Sequence, residues 1–150
     1  MDSKRRRLIQ SGTALASLIA LGIFSPSAVQ ASENQDAFDT TSFEQALKAL
    51  GTNIVESDQI ELLVTDLAED GSLVPLSVSS RFPNTQAIYI LIENNPYPLT
   101  AAFMIPEGTD ASVDIRVKMA DSSPIHALVE ADGKFYSTKS TVKVRVGGCA

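Results

Sequence analysis

The chain has 150 residues, with 12 Lys and Arg against 18 Asp and Glu, one cysteine and one histidine. An acidic balance argues against nucleic acid and anionic membrane surfaces as partners, because both are held through positive patches. A single cysteine excludes an internal disulfide, and one cysteine with one histidine falls short of a set of metal ligands. The first 31 residues read as an export signal: Lys4-Arg5-Arg6-Arg7 is basic, Thr13 to Phe24 is an apolar run of 12, and Val29-Gln30-Ala31 offers small residues for cleavage before Ser32. Twelve residues fall short of the roughly 20 that span a bilayer. Arg5 and Arg6, followed by Leu8-Ile9, resemble the pair of a twin-arginine signal, which exports folded proteins to the periplasm. Cleavage removes four basic residues and Asp2, leaving 8 basic against 17 acidic and a net charge of −9.

What remains, about 119 residues, is the size of one domain. Ser32 to Asp39 is polar and reads as a loose leader. Thr41-Ser42-Phe43-Glu44 matches a capping box, and Phe43, Ala46, Leu47 and Leu50 share one face of a helix over about 42–50 that Gly51 ends. Such a helix would cover one end of a sheet. From Gln59 the period changes to two. Ile60, Leu62 and Val64 form one strand, Glu69-Asp70-Gly71 reads as a hairpin turn, and Leu73 to Ser80 returns. Pro75 requires an edge or a bulge there, since it has no N–H for a ladder.

Ala87 to Glu93 is the most apolar strand and is assigned to the sheet centre. Asn94-Asn95-Pro96-Tyr97-Pro98 breaks it, because proline fixes φ and restricts the residue before it. Tyr97 in that loop suits either a partner contact or a plain strand break. Thr100 to Ile105, Val113 to Val117, Ile125 to Ala131 and Lys134 to Tyr136 follow, the last two joined through Asp132-Gly133, the strongest hairpin signal in the chain. Thr138 to Val146 is the final strand. About seven short strands separated by turns predict a mainly β fold, an immunoglobulin-like antiparallel β-sandwich with a short N-terminal helix over 32–146.

Chemistry concentrates at 147–150. Val142, Val144 and Val146 alternate with Lys143 and Arg145, and then Gly147-Gly148 ends the strand before Cys149. Glycine is conformationally permissive, so Gly147 and Gly148 read as a swinging arm for the Cys149 thiol. Three extended residues span roughly 10 Å. Elsewhere the signals are bland: His126 reads as a structural or surface imidazole, Met104 and Met119 as core fillers, and Asp66, Glu69 and Asp70 as a solvated acidic loop. A Cys149–His126 nucleophile pair is formally available, although a mobile arm is a poor holder for a nucleophile.

Four stretches carry a resemblance: Leu67-Ala68-Glu69-Asp70-Gly71-Ser72-Leu73-Val74-Pro75, Glu93-Asn94-Asn95-Pro96-Tyr97-Pro98, Arg116-Val117-Lys118-Met119-Ala120, and the terminal Val142 to Cys149. Together they resemble SoxY, the carrier family of bacterial thiosulfate oxidation. The resemblance implies an immunoglobulin-like, non-catalytic sulfur carrier without a cofactor or metal, in which Cys149 bears the thiosulfate-derived load. It implies a heterodimer with a SoxZ-like subunit, and transient partners among Sox c-type cytochromes, a hydrolase and a sulfur dehydrogenase. The family commonly ends Gly-Gly-Cys-Gly-Gly, whereas here Ala150 follows Cys149. Two other readings stand beside the carrier: an immunoglobulin-like subunit tethered to its partner by a Cys149 disulfide, and a thiol enzyme using Cys149 with His126.

Overall fold

The computed structural model describes residues 35–51 and 53–147. The export signal with Arg5 and Arg6, and also Gly148, Cys149 and Ala150, lie outside the described residues.

Two helices come first, α1 (Gln35–Phe38) and α2 (Phe43–Leu50). The leader expected to be loose thus contains a helical turn, and Ala37 within it is buried, giving that turn a reason to form. In α2 the expected face is the one that packs, with Ala46 and Leu50 buried and Phe43 and Leu47 partly so. The capping box does not form. Ser42, not Thr41, holds the N-cap position with extended φ and ψ, and no side chain caps the helix. The Ser42 carbonyl accepts from the Ala46 N–H at 2.9 Å.

Nine strands follow: β1 (Ile54–Glu56), β2 (Ile60–Val64), β3 (Leu67–Asp70), β4 (Val74–Ser80), β5 (Thr85–Ile92), β6 (Leu99–Met104), β7 (Ser112–Val117), β8 (Ser123–Ala131) and β9 (Lys134–Val146). They make two sheets. The larger runs β1-β9-β8-β5-β6, with β3 also paired to β9, and the smaller runs β2-β4-β7. The sheets face one another across a core to which β2, β4 and β7 contribute Ile60, Leu76 and Val117, and β5, β8 and β9 contribute Ile90, Ala127 and Val142. This is the immunoglobulin-like sandwich the spacing of turns predicts.

The large sheet is covered on its other face too. Ala87, Tyr89 and Leu91 of β5 and Leu128 of β8 pack under Ala37, Ala46 and Leu50 of the helices. The helical segment therefore caps a face, not an end. A strand buried on both faces loses the polar half of its alternation. That is why β5 reads as an unbroken apolar run and shows only Gln86 exposed.

Several expectations need correction. Glu69-Asp70-Gly71 is no hairpin turn: β3 pairs in parallel with the end of β9, Ala68 opposite Val144 and Asp70 opposite Val146, and the chain visits the large sheet between β2 and β4. The acidic cluster is accordingly part strand rather than loop. β1 was not anticipated; it also runs parallel to β9, Ile54 opposite Phe135. Pro75 sits in the middle strand of the small sheet. Its ladder with β2 begins one residue later, at Leu76, so Pro75 faces a locally open edge although β7 still pairs it with Arg116. Lys134 to Val146 is one strand of 13 residues, not two. Met119 is fully buried as expected, but Met104 at the end of β6 is exposed. The Asp132-Gly133 hairpin forms, both residues having positive φ (52° and 69°), as a tight two-residue turn requires.

Candidate functional site

The site begins with β9, because this strand leads to Cys149. Burial declines along it: Val142 is fully buried, Val144 partly, and Val146 is 64% exposed, while Lys143 and Arg145 face solvent. The strand thus emerges from the sandwich before it reaches the glycines. Val146 does not share the buried face expected of it.

An emerging strand end has backbone groups to satisfy, and two separate elements supply partners. On one side stands β3. The Lys143 N–H donates to the Asp66 carbonyl at 2.9 Å, and the Gly71 N–H donates to the Val146 carbonyl at 2.7 Å. Arg145 Nη1 lies 3.1 Å from Glu69 Oε2, an exposed ion pair across the same two strands. Asp70 turns the chain away: its Oδ1 accepts from the Ser72 N–H at 2.8 Å. That backbone donor, helped by the Ser72 hydroxyl, holds the Asp70 carboxyl below its ordinary range.

On the other side stands the irregular segment between β7 and β8. β8 ends its ladder with β9 at Ser123–Val142. Beyond that, Ser122 Oγ accepts from the Val144 N–H at 2.9 Å. Further out, Gly147 lies against the carbonyl of Ala120, so closely that a Cβ added to Gly147 would collide with that oxygen. Here glycine is needed for having no side chain.

The segment that meets Gly147 is itself held by the Asn-Asn-Pro-Tyr-Pro loop. Asn95 bonds it twice, donating from Nδ2 to the Lys118 carbonyl at 2.8 Å and accepting on Oδ1 from the Ala120 N–H at 2.9 Å. Asn94 adds a bond from Nδ2 to the Ser122 carbonyl at 2.7 Å. The Met119 N–H reaches the Gly71 carbonyl at 2.7 Å, which closes the ring back to β3. The four stretches quoted for the resemblance, scattered through the sequence, therefore converge on the end of β9. Asn95, Ser122 and Ala120 were not anticipated as site residues. Asparagine in a turn is a known signal for bonds to backbone, but nothing local in the sequence indicates that residue 95 meets residues 118 and 120.

The remaining candidates are structural in their surroundings. His126 is largely buried on β8, with Nε2 2.6 Å from Glu93 Oε1 and its ring 4.6 Å from that of Phe43. Its pairing with Cys149 falls outside the described residues. Tyr97 is 58% exposed. Among the described residues no group of three or more His, Cys, Asp and Glu could hold a metal ion, and no helix is long and apolar enough to cross a membrane.

No curated protein sequence matches the chain. The structure of the sulfur carrier protein SoxY from Chlorobium limicola f thiosulfatophilum is similar, at 32% identity and a TM-score of 0.57, over 61% of this chain and 84% of that one. The superoxide reductase (neelaredoxin) from Ignicoccus hospitalis, at 15% identity and a TM-score of 0.52 over 61% and 94% of the two chains, shares the fold alone. The family model of the sulfur oxidation protein SoxY matches residues 46–149, more than half of the chain and inclusive of all four convergent stretches. The chain belongs to the SoxY family of sulfur oxidation proteins.

Proposed function

We propose that this protein, a sulfur carrier of the Sox system by family, bears its load on Cys149 and delivers it in the periplasm to separate enzymes. The observation that carries this reading is the position of the sole cysteine, three residues beyond a strand that has already emerged from the sandwich at Val146. Gly147-Gly148-Cys149 spans roughly 10 Å when extended, enough to enter a pocket on another protein. Loading by thiosulfate forms a bond between Cys149 Sγ and the terminal sulfur of thiosulfate. The thiol proton and two electrons leave, the electrons to a c-type cytochrome partner. A hydrolase then adds water across the bond between the two former thiosulfate sulfurs, releasing sulfate and leaving a persulfide on Cys149, which a sulfur dehydrogenase oxidises further. The chain supplies no redox group or cofactor in this scheme; its cargo is substrate.

A SoxZ-like subunit is the proposed stable partner, in a heterodimer. Open sheet edges support this, since β6, β2 and β7 each end a sheet and an unpaired edge invites a partner strand. The alternative, a Cys149 disulfide tether, differs in what it leaves on the cysteine. Intact-mass measurement of the protein from its native compartment tests both. Small sulfur adducts on Cys149 that vanish in Cys149→Ser support the carrier. A stable reducible doubling of mass supports the tether, and adducts persisting in Cys149→Ser overturn the carrier assignment. Native mass spectrometry with both subunits present that finds only monomer or homodimer counts against the heterodimer.

A further inference from the structure

We infer that Asn95 is the positioning residue of the carrier arm: by bonding both Lys118 and Ala120 it holds the Ala120 carbonyl against Gly147, making Gly147 a fixed root for the segment that carries Cys149. This rests on the carrier reading for its use, but the clamp itself rests on geometry alone.

A flexible tail that leaves a sheet usually frays over its last residues. The end of β9 instead meets partners on both flanks. Gly71 and Ser122 take up the backbone of Val146 and Val144. One residue further, Ala120 stands where any side chain on residue 147 would have to be. Ala120 belongs to no strand, so its place depends on what holds the 118–122 segment. The Asn95 amide uses its donor and its acceptor on two backbone groups two residues apart, Lys118 O and Ala120 N. This geometry fixes the plane of the intervening backbone as well as its position. Asn95 is in turn kept in place by its own N–H, which donates to the Ile92 carbonyl at 3.2 Å, and by the prolines at 96 and 98.

A fixed root matters for a short arm. With two residues beyond the root, a reach of roughly 7 Å, an error in the point or direction of departure is a large fraction of the path to a partner's reacting group, and misplacement of about 1 Å can cost up to 100-fold in rate.

The test is backbone ¹⁵N relaxation on the full mature chain. In the parent protein the Gly147 amide should have an order parameter near 0.85, typical of rigid backbone, and in Asn95→Ala it should drop below about 0.6, while the amides of β5 and β8 keep their shifts. Asn95→Asp retains the acceptor for Ala120 and should fall between the two. Gly147→Ala approaches the same contact from the other side and serves where Asn95→Ala fails to fold: position 147 should lose order with Asn95 intact. The functional arm compares two rates at Cys149, alkylation by iodoacetamide and loading from thiosulfate by the cytochrome partner. Alkylation should stay within about twofold in Asn95→Ala while enzyme-dependent kcat/KM falls about tenfold. A mobile Gly147 in the parent, an unchanged order parameter in Asn95→Ala, or two rates that fall together would overturn the proposal. The relaxation result decides the clamp even for a protein that no enzyme loads, an outcome that would count against the carrier reading alone.

Discussion

The hydroxyl of Ser122 takes the place of a strand partner for Val144. Its Oγ accepts from the Val144 N–H at 2.9 Å and lies 3.4 Å from the Val144 carbonyl, so one side chain continues the β8–β9 ladder after β8 has ended. Ser122→Ala should therefore leave a partly buried N–H unpaired and cost about 1–2 kcal/mol. Urea denaturation reads the loss, and amide exchange should quicken at Val144 before it does at Val142. Unchanged exchange at Val144 would mean that water replaces the hydroxyl without cost.

Gly51 ends α2 against the ring of Phe135, where an added Cβ would come within 2.6 Å of Cδ2 and 2.7 Å of Cε2. Its φ is 176°, an extended value open to any residue, so the cost of Gly51→Ala is one of space alone. Overpacking of this kind costs about 1–3 kcal/mol. Adding Phe135→Leu should recover part of it, since the two residues touch and their effects are coupled. Additive losses in thermal denaturation would contradict the contact.

Asp70 gives the protein an acid-side dependence of known sign. Its folded carboxyl lies below the ordinary value of 3.8 because the Ser72 backbone N–H, then the Ser72 hydroxyl, favour the charged form. The contribution is thus fully present above the unfolded value and is lost as pH falls through the lower folded one. A carboxyl ¹³C titration should find a midpoint under 3.8 for Asp70, and Ser72→Pro, which removes the N–H, should move it upward. A midpoint at or above 3.8 in the unaltered protein would refute the assignment.

Export is testable at the other end of the chain. The apolar run Thr13 to Phe24 and the small residues at 29–31 predict a mature N-terminus at Ser32. Replacing Arg5 and Arg6 with lysines should strand the precursor in the cytoplasm if the twin-arginine route is used. N-terminal sequencing of the periplasmic fraction checks both, and an exported protein that retains residues 1–31 would refute the cleavage site.

The sandwich was legible wherever burial follows a simple period. Ile60, Leu62 and Val64, or Val113, Ile115 and Val117, alternate because one face of each strand meets the core and the other meets water. β3 was hidden because only Ala68 of its four residues is buried and Asp70-Gly71 imitates a turn. Its partner, Lys143 to Val146, lies more than 70 residues away, and parallel pairing leaves no local mark. At the site, the sequence displays glycine's freedom at 147 but not what stands beside it. Whether such a residue serves as joint or as close contact depends on Ala120, which only the folded chain brings there. Asn95 is legible as a turn residue, and its bonds to 118 and 120 are tertiary.

β9 joins three strands along its length, β8 from Lys134 to Val142, β1 near its start and β3 near its end. Under the proposed carrier function, tension applied when an enzyme lets go of the terminal segment would enter the sandwich through Val146 and run along the axis of this strand. A load in that direction shears the ladder, so many hydrogen bonds share the force instead of opening one after another as in peeling. In that role the body of the protein would be a mechanical anchorage, keeping the strand from which the load hangs in place through repeated withdrawals.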